Sequence, residues 1–229
     1  ELRTVFFLSL FRAATSLSLV IAYQHIASGV ASTIHFMYPL AVALAMMCFF
    51  REKGSVWVFA AIGMSIVGAV LLSLGNVDFT RGNTTLGMVS AAVSVVSYGG
   101  YIVGVRKSRA VGIDSTVLTC YVMGLGALYF IAGGLVTGGI RIETDGTAWL
   151  CILGVALPAT AVSNMTLVQA IKRIGPTLTS VFGAFEPLTA VVIGVAVFAE
   201  PFTVQGAAGI LLIVAAVTIV ILHSGRRKA

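Results

Sequence analysis

Residues 31–52, ASTIHFMYPLAVALAMMCFFRE, return 148 positions later as residues 179–200, TSVFGAFEPLTAVVIGVAVFAE. Carried back to residue 12, the overlay of 12–52 on 160–200 needs no gap. It pairs Ala13/Ala161, Leu19/Leu167, Val20/Val168, Ala22/Ala170, Ile26/Ile174, Ser32/Ser180, Pro39/Pro187, Leu40/Leu188, Phe50/Phe198 and Glu52/Glu200. Shared apolar composition explains part of this agreement. The matched Pro-Leu and the matched terminal Glu go beyond composition.

The solvent for these repeats is lipid. Of the 229 residues, 59% are hydrophobic and 10% charged, and the mean hydropathy is +1.05. Soluble domains carry about 25% charged residues, so a soluble enzyme domain and a disordered chain are both excluded. Eight apolar runs stand at 4–25, 29–50, 56–75, 85–105, 116–137, 147–172, 176–199 and 203–223. Each approaches the ~20 residues a helix needs to cross a bilayer. A membrane β-barrel would show ~10-residue alternating segments instead. The expected fold is all-α and polytopic, with no room for a soluble domain. Three cysteines, Cys48, Cys120 and Cys151, fall within or at the edge of runs with no metal-ligand or disulfide spacing, and read as small packing residues.

Threading the eight runs with the first residue inside puts 11 of the 14 basic residues in inner loops: Arg3, Arg51, Lys53, Arg106, Lys107, Arg109, Lys172, Arg173, Arg226, Arg227 and Lys228. Arg81 and Arg141 fall outside, and Arg12 lies within a run. Such a bias fixes topology with both ends cytoplasmic. The net charge of +6 therefore reads as contact with acidic lipid headgroups, not with nucleic acid. Asn83-Thr84-Thr85, a glycosylation-type tripeptide, carries little weight.

The repeat unit holds five runs. An odd unit inverts its second copy, so 4–25 and 147–172 cross in opposite senses. Inverted repeats of this kind build secondary transporters, with substrate held near the midplane between the halves. Residues 1–75 supply three runs of a first repeat and residues 85–223 five of a second. A five-plus-five plan implies two further helices before residue 1.

The few polar residues inside the runs are the candidate site. Glu186, followed by Pro187, lies near mid-membrane. It is either a proton-coupling or amine-binding carboxyl, or a protonated structural acid bonded to a freed carbonyl. Its repeat mate is Tyr38. Arg12 either meets a carboxylate or phosphate on a substrate or snorkels toward headgroups. Arg12, Ser16 and Tyr23 share a helical face, and the mates of the first two are Thr160 and Asn164. Asn164 either lines a cavity or bonds two helices together. Ser90, Ser94, Ser97, Tyr101 and Gly104 form one stripe, either a hydrated wall or a packing seam, with Tyr98 a turn from Ser94. His35 is a packed, hydrogen-bonded ring or a coupling group. Ala61, Ser65 and Ala69, with Gly206, Ala207 and Gly209, read as packing positions.

Three segments together resemble the EamA branch of the drug/metabolite transporter superfamily: VASTIHFMYPLAVALAMMCFFRE (30–52), LGMVSAAVSVVSYGGYIVGVRK (86–107) and TSVFGAFEPLTAVVIGVAVFAE (179–200). The first resembles that family's fourth helix, the second its sixth and the third its ninth. The resemblance implies a ten-helix carrier of two five-helix repeats in a plasma membrane, here a bacterial inner membrane. It also implies transport, often outward, of amino acids, metabolites, drugs or nucleotide sugars. The expected substrate contacts or coupling groups are Glu186, Arg12, Asn164, Tyr38, Tyr101, Ser94, Ser97 and His35, with no catalytic residue, metal or cofactor. The expected partners are a small-molecule substrate, membrane lipid and a second copy in a homodimer. A lipid-linked-sugar translocase of the same fold and a passive channel are the rival readings. No HExxH, paired-aspartate or G-x-S-x-G arrangement supports an enzyme, and no G-x-x-x-x-G-K-[ST] supports ATP drive.

Overall fold

The structure is a computed structural model; it describes residues 1–26, 28–52, 54–73, 82–139, 144–183, 185–186, 189, 192–193, 196 and 204–226. Pro187, Leu188, Phe198 and Glu200, with Lys53, Arg81, Arg141, Arg227 and Lys228, lie outside these residues. Among the described residues the chain is helical and has no strand. The order is α1 (Leu2–His25), α2 (Ser28–His35), α3 (Tyr38–Phe50), α4 (Val56–Ser73), α5 (Thr84–Lys107), α6 (Ser115–Thr137), α7 (Gly146–Gly154), α8 (Ser163–Ile174), α9 (Pro176–Phe182) and α10 (Val204–Arg226). The stretches Leu2–His25, Val30–Phe50, Thr84–Lys107, Ser115–Thr137 and Gly146–Ile174 are long and apolar enough to cross a bilayer. Shorter apolar stretches lie in α4 and α10. The chain is an all-α, multi-pass membrane protein.

Local chemistry sets the helix ends. Asn83 caps α5 by accepting a bond from the Leu86 amide at 3.1 Å. Asp114 caps α6 through the Thr116 and Val117 amides, at 2.8 and 3.2 Å. The one residue between α8 and α9 is Gly175, at φ 89°, a left-handed setting that a side chain disfavours.

Two apolar runs are not the uniform α-helices their composition suggests. Run 29–50 breaks at Phe36–Met37, between α2 and α3. Pro39 has no N–H to give the His35 carbonyl, and its ring disfavours helix in the residue before it. Run 147–172 is α7, a π-helical turn of the same continuous helix over Val155–Val162, and α8. Pro158 sits inside that turn, where its missing N–H would have met the Gly154 carbonyl.

α5 is the central post. Its Tyr101, Ile102 and Val105 share one core with Val5 and Leu8 of α1, Val42 and Met46 of α3, and Val168 and Ile171 of α8. α4 pairs with α10, where a Cβ on Gly68 would lie 2.9 Å from the Gly209 carbonyl oxygen. The small residues Ala61, Ser65 and Ala69 are buried, as expected of packing positions. The cysteines are a correction: Cys48, Cys120 and Cys151 are all exposed. In lipid nothing drives a small apolar side chain off the helix surface.

The basic helix ends gather together. Arg106 Nη1 donates to the Lys172 carbonyl at 2.7 Å, and Lys172 Nζ donates to the Ile113 carbonyl. Lys107 Nζ stands 4.9 Å over the Phe50 ring. The ends of α3, α5 and α8 therefore share one side, as the charge pattern requires.

Candidate functional site

Arg12 lies in the third turn of α1, and its side chain turns inward to other side chains. Its Nε donates to Asn164 Oδ1 at 3.2 Å and its Nη1 to Ser16 Oγ at 3.3 Å. These bonds hold the Arg12 side chain against Asn164 and its own helix. Asn164 is oriented by its own helix: its Nδ2 donates to the Thr160 carbonyl at 2.7 Å, so its oxygen faces Arg12. Ser16, Arg12, Asn164 and Thr160 thus form one chain of hydrogen bonds linking α1 to the second half. Under the 148-residue offset they form two mate pairs, Arg12/Thr160 and Ser16/Asn164.

An aromatic cluster lies beside this chain. The Arg12 guanidinium carbon stands 5.7 Å from the Tyr98 ring centre, a cation–π distance. Tyr98 meets Tyr38 edge-on at 4.7 Å and stacks on Tyr101 at 6.5 Å. His35 tilts against Tyr38 at 5.5 Å and Tyr98 at 5.3 Å. Its Nδ1 lies 2.8 Å from Ser94 Oγ, which itself donates to the Ala91 carbonyl at 2.6 Å. The hydroxyl's one hydrogen goes to Ala91, so Nδ1 donates to Ser94, and in the neutral ring Nε2 carries the lone pair. The Tyr101 hydroxyl is buried and, like those of Ser65, Thr119 and Thr177, has no hydrogen-bond partner among the described residues.

Glu186 is exposed, its amide donates to the Gly183 carbonyl at 2.9 Å, and its carboxyl lies within electrostatic reach of Arg12, Tyr38 and Tyr98. Seven of the eight expected side chains, Arg12, Asn164, Glu186, Tyr38, Tyr101, Ser94 and His35, are therefore linked through direct contacts or electrostatic reach. Ser97 stands apart, bonding the Val93 carbonyl of its own helix at 2.5 Å. Ser90, Ser94, Ser97 and Tyr101 of the α5 stripe are all buried. Tyr23 also leaves the group, pairing with Ser32 at 3.2 Å on the surface. Two residues matter more than the sequence indicated. Tyr98 is the hub of the cluster, although only its spacing from Ser94 marked it. Gly183 went unmarked, although a Cβ there would collide with the Tyr38 hydroxyl. The signal available was its place opposite His35 in the repeat. Among the described residues no group of His, Cys, Asp or Glu is arranged to hold a metal.

Residues 85–222 match the sequence profile of the EamA-like transporter family. The chain belongs to that family. An EamA-like transporter carries small molecules through the membrane, and a polar cluster enclosed among helices suits that task. No curated protein matches the sequence. A solved crystal structure of a protein superimposes with a TM-score of 0.85 over 100% of this chain and 79% of that one, at 16% identity. At that identity the likeness concerns the fold.

Proposed function

We propose that this EamA-like transporter is a secondary carrier that exports a small metabolite, amino acid or drug across a bacterial inner membrane by alternating access. In this reading residues 1–75 and 85–223 are two inverted halves, both ends of the chain face the cytoplasm, and the substrate sits between Arg12, Asn164, Glu186 and the Tyr38, Tyr98, Tyr101 cluster. The observation that carries it is the bond from Arg12 to Asn164, 152 residues apart. An arginine within a span costs about 2.5–3.5 kcal/mol on insertion scales, so its retention there calls for a use. The guanidinium has five N–H donors, more than its bonds to Asn164 and Ser16 occupy. Those remaining suit a carboxylate or phosphate, and Glu186 suits an amine. An amphipathic or zwitterionic molecule fits both.

The test is a thermal-shift screen of the purified chain against amino acids, nucleosides and cationic drugs, followed by flux of each hit in proteoliposomes. Arg12→Gln should lower flux at limiting substrate at least about tenfold, the cost of one lost charged hydrogen bond. Unchanged flux would assign Arg12 to structure alone. Glu186→Gln should abolish pH-driven uptake and spare counterflow exchange. An unaltered pH dependence would remove the coupling role.

A further inference from the structure

The 148-residue offset gives every residue of 12–52 a mate in 160–200, so every contact between these segments has a mate contact. Tyr38 is buried, with its hydroxyl seated against the backbone of Gly183: a Cβ on Gly183 would collide with Tyr38 Oη and lie 3.0 Å from Tyr38 Cζ. The mate of Tyr38 is Glu186, and the mate of Gly183 is His35. The mate contact is therefore Glu186 with His35. Here His35 Nδ1 lies 2.8 Å from Ser94 Oγ.

Among the described residues the first contact of this mate pair is made, and no hydrogen bond joins Glu186 to His35. Inverted halves that exchange conformations exchange such contacts as well. We propose that alternating access in this protein trades the Tyr38–Gly183 contact for one between the Glu186 carboxyl and the His35 imidazole. The inference rests on the carrier reading above. Two features favour it. The pairs are matched in bulk: a large ring meets no side chain in one, and two middle-sized side chains meet in the other. The backbone is broken at both places, since α2 ends at His35 and α9 at Phe182, beside Gly183. In the sequence Pro39 and Pro187 stand four residues after His35 and Gly183, and a proline has no N–H to give a helix. The His35 tautomer also suits the exchange. With Nδ1 committed to Ser94, Nε2 is the acceptor for a carboxyl O–H.

The test uses the full chain in phosphatidylethanolamine–phosphatidylglycerol liposomes, with Cys48, Cys120 and Cys151 replaced by Ser. Two pairs, Tyr38→Cys with Gly183→Cys and His35→Cys with Glu186→Cys, are treated with a short bifunctional methanethiosulfonate and read by peptide mass. Both pairs should cross-link. The yield of the second should rise about tenfold when Gly183→Ala removes the tyrosine's seat. Tyr38→Trp overfills the same seat and serves if Gly183→Ala does not insert. A His35/Glu186 pair that stays uncoupled in both backgrounds overturns the inference. Asn164→Cys, probed with a membrane-impermeant maleimide, separates the two failures. Labelling from either face with no 35–186 cross-link leaves the carrier standing and sinks the exchange. Labelling from one face only in every variant sinks both.

Discussion

α5 and α6 are close to equal in length, at 24 and 23 residues, and both are apolar enough to cross a bilayer. Yet 11 of the 24 residues of α5 are buried within the protein against 3 of the 23 of α6. Hydropathy does not separate them, because lipid welcomes an apolar helix on any face and offers no hydrophobic drive toward the interior. The difference lies in where their small residues face. On α5 they let neighbouring helices come close: a Cβ on Gly87 would lie 2.6 Å from Ile26 Cγ2, and one on Gly104 2.7 Å from Leu8 Cδ2. On α6 the same addition at Gly124, Gly126 or Gly133 would meet nothing within 4 Å. Glycine is a contact residue on one helix and a bystander on the other.

The largest effect expected from this contrast comes from matched substitutions. Gly87→Leu on α5 should destabilise the protein by about 1–3 kcal/mol through overpacking, and Gly126→Leu on α6 should leave the detergent unfolding midpoint unchanged. Equal losses at both would erase the contrast. A smaller effect is expected from the hydroxyls. Ser94→Ala removes the acceptor of the His35 bond and should cost about 0.6–1.7 kcal/mol. Thr137→Val on α6 should cost nothing measurable, since its hydroxyl bonds only Gly133 of its own helix.

The smallest effect concerns the caps, where the two helices differ in charge rather than burial. The Asp114 carboxyl is held below its ordinary 3.8 by the Val117 and Thr116 amides. Its contribution is therefore full above that value and fades as pH falls through the lowered folded value. Asp114→Asn should flatten the acid side of the midpoint-against-pH curve. Asn83→Asp should steepen it by creating the same acidic cap on α5.

The sequence revealed these features unevenly, for physical reasons. The apolar runs were plain, because lipid demands long uncharged helices. The pairing of Arg12 with Asn164 was half visible: the repeat put polar residues at equivalent places, but only the fold brings α1 against the second half. The break at Phe36–Met37 and the π-helical turn at Val155–Val162 hid inside uniformly apolar runs, with Pro39 and Pro158 as the only marks. Facing direction was the least legible property. The cysteines and the α5 stripe show this, since periodicity has no polar face to follow when the solvent is hydrocarbon. Gly183 shows a further limit: a missing side chain leaves no chemistry to read until something large is found resting on it.

Gly175 alone joins α8 to α9. A one-residue elbow leaves the two helix ends no distance to part, and the glycine sets the angle between them. Asn164 rides on one arm, and the other leads to the turn that holds Glu186.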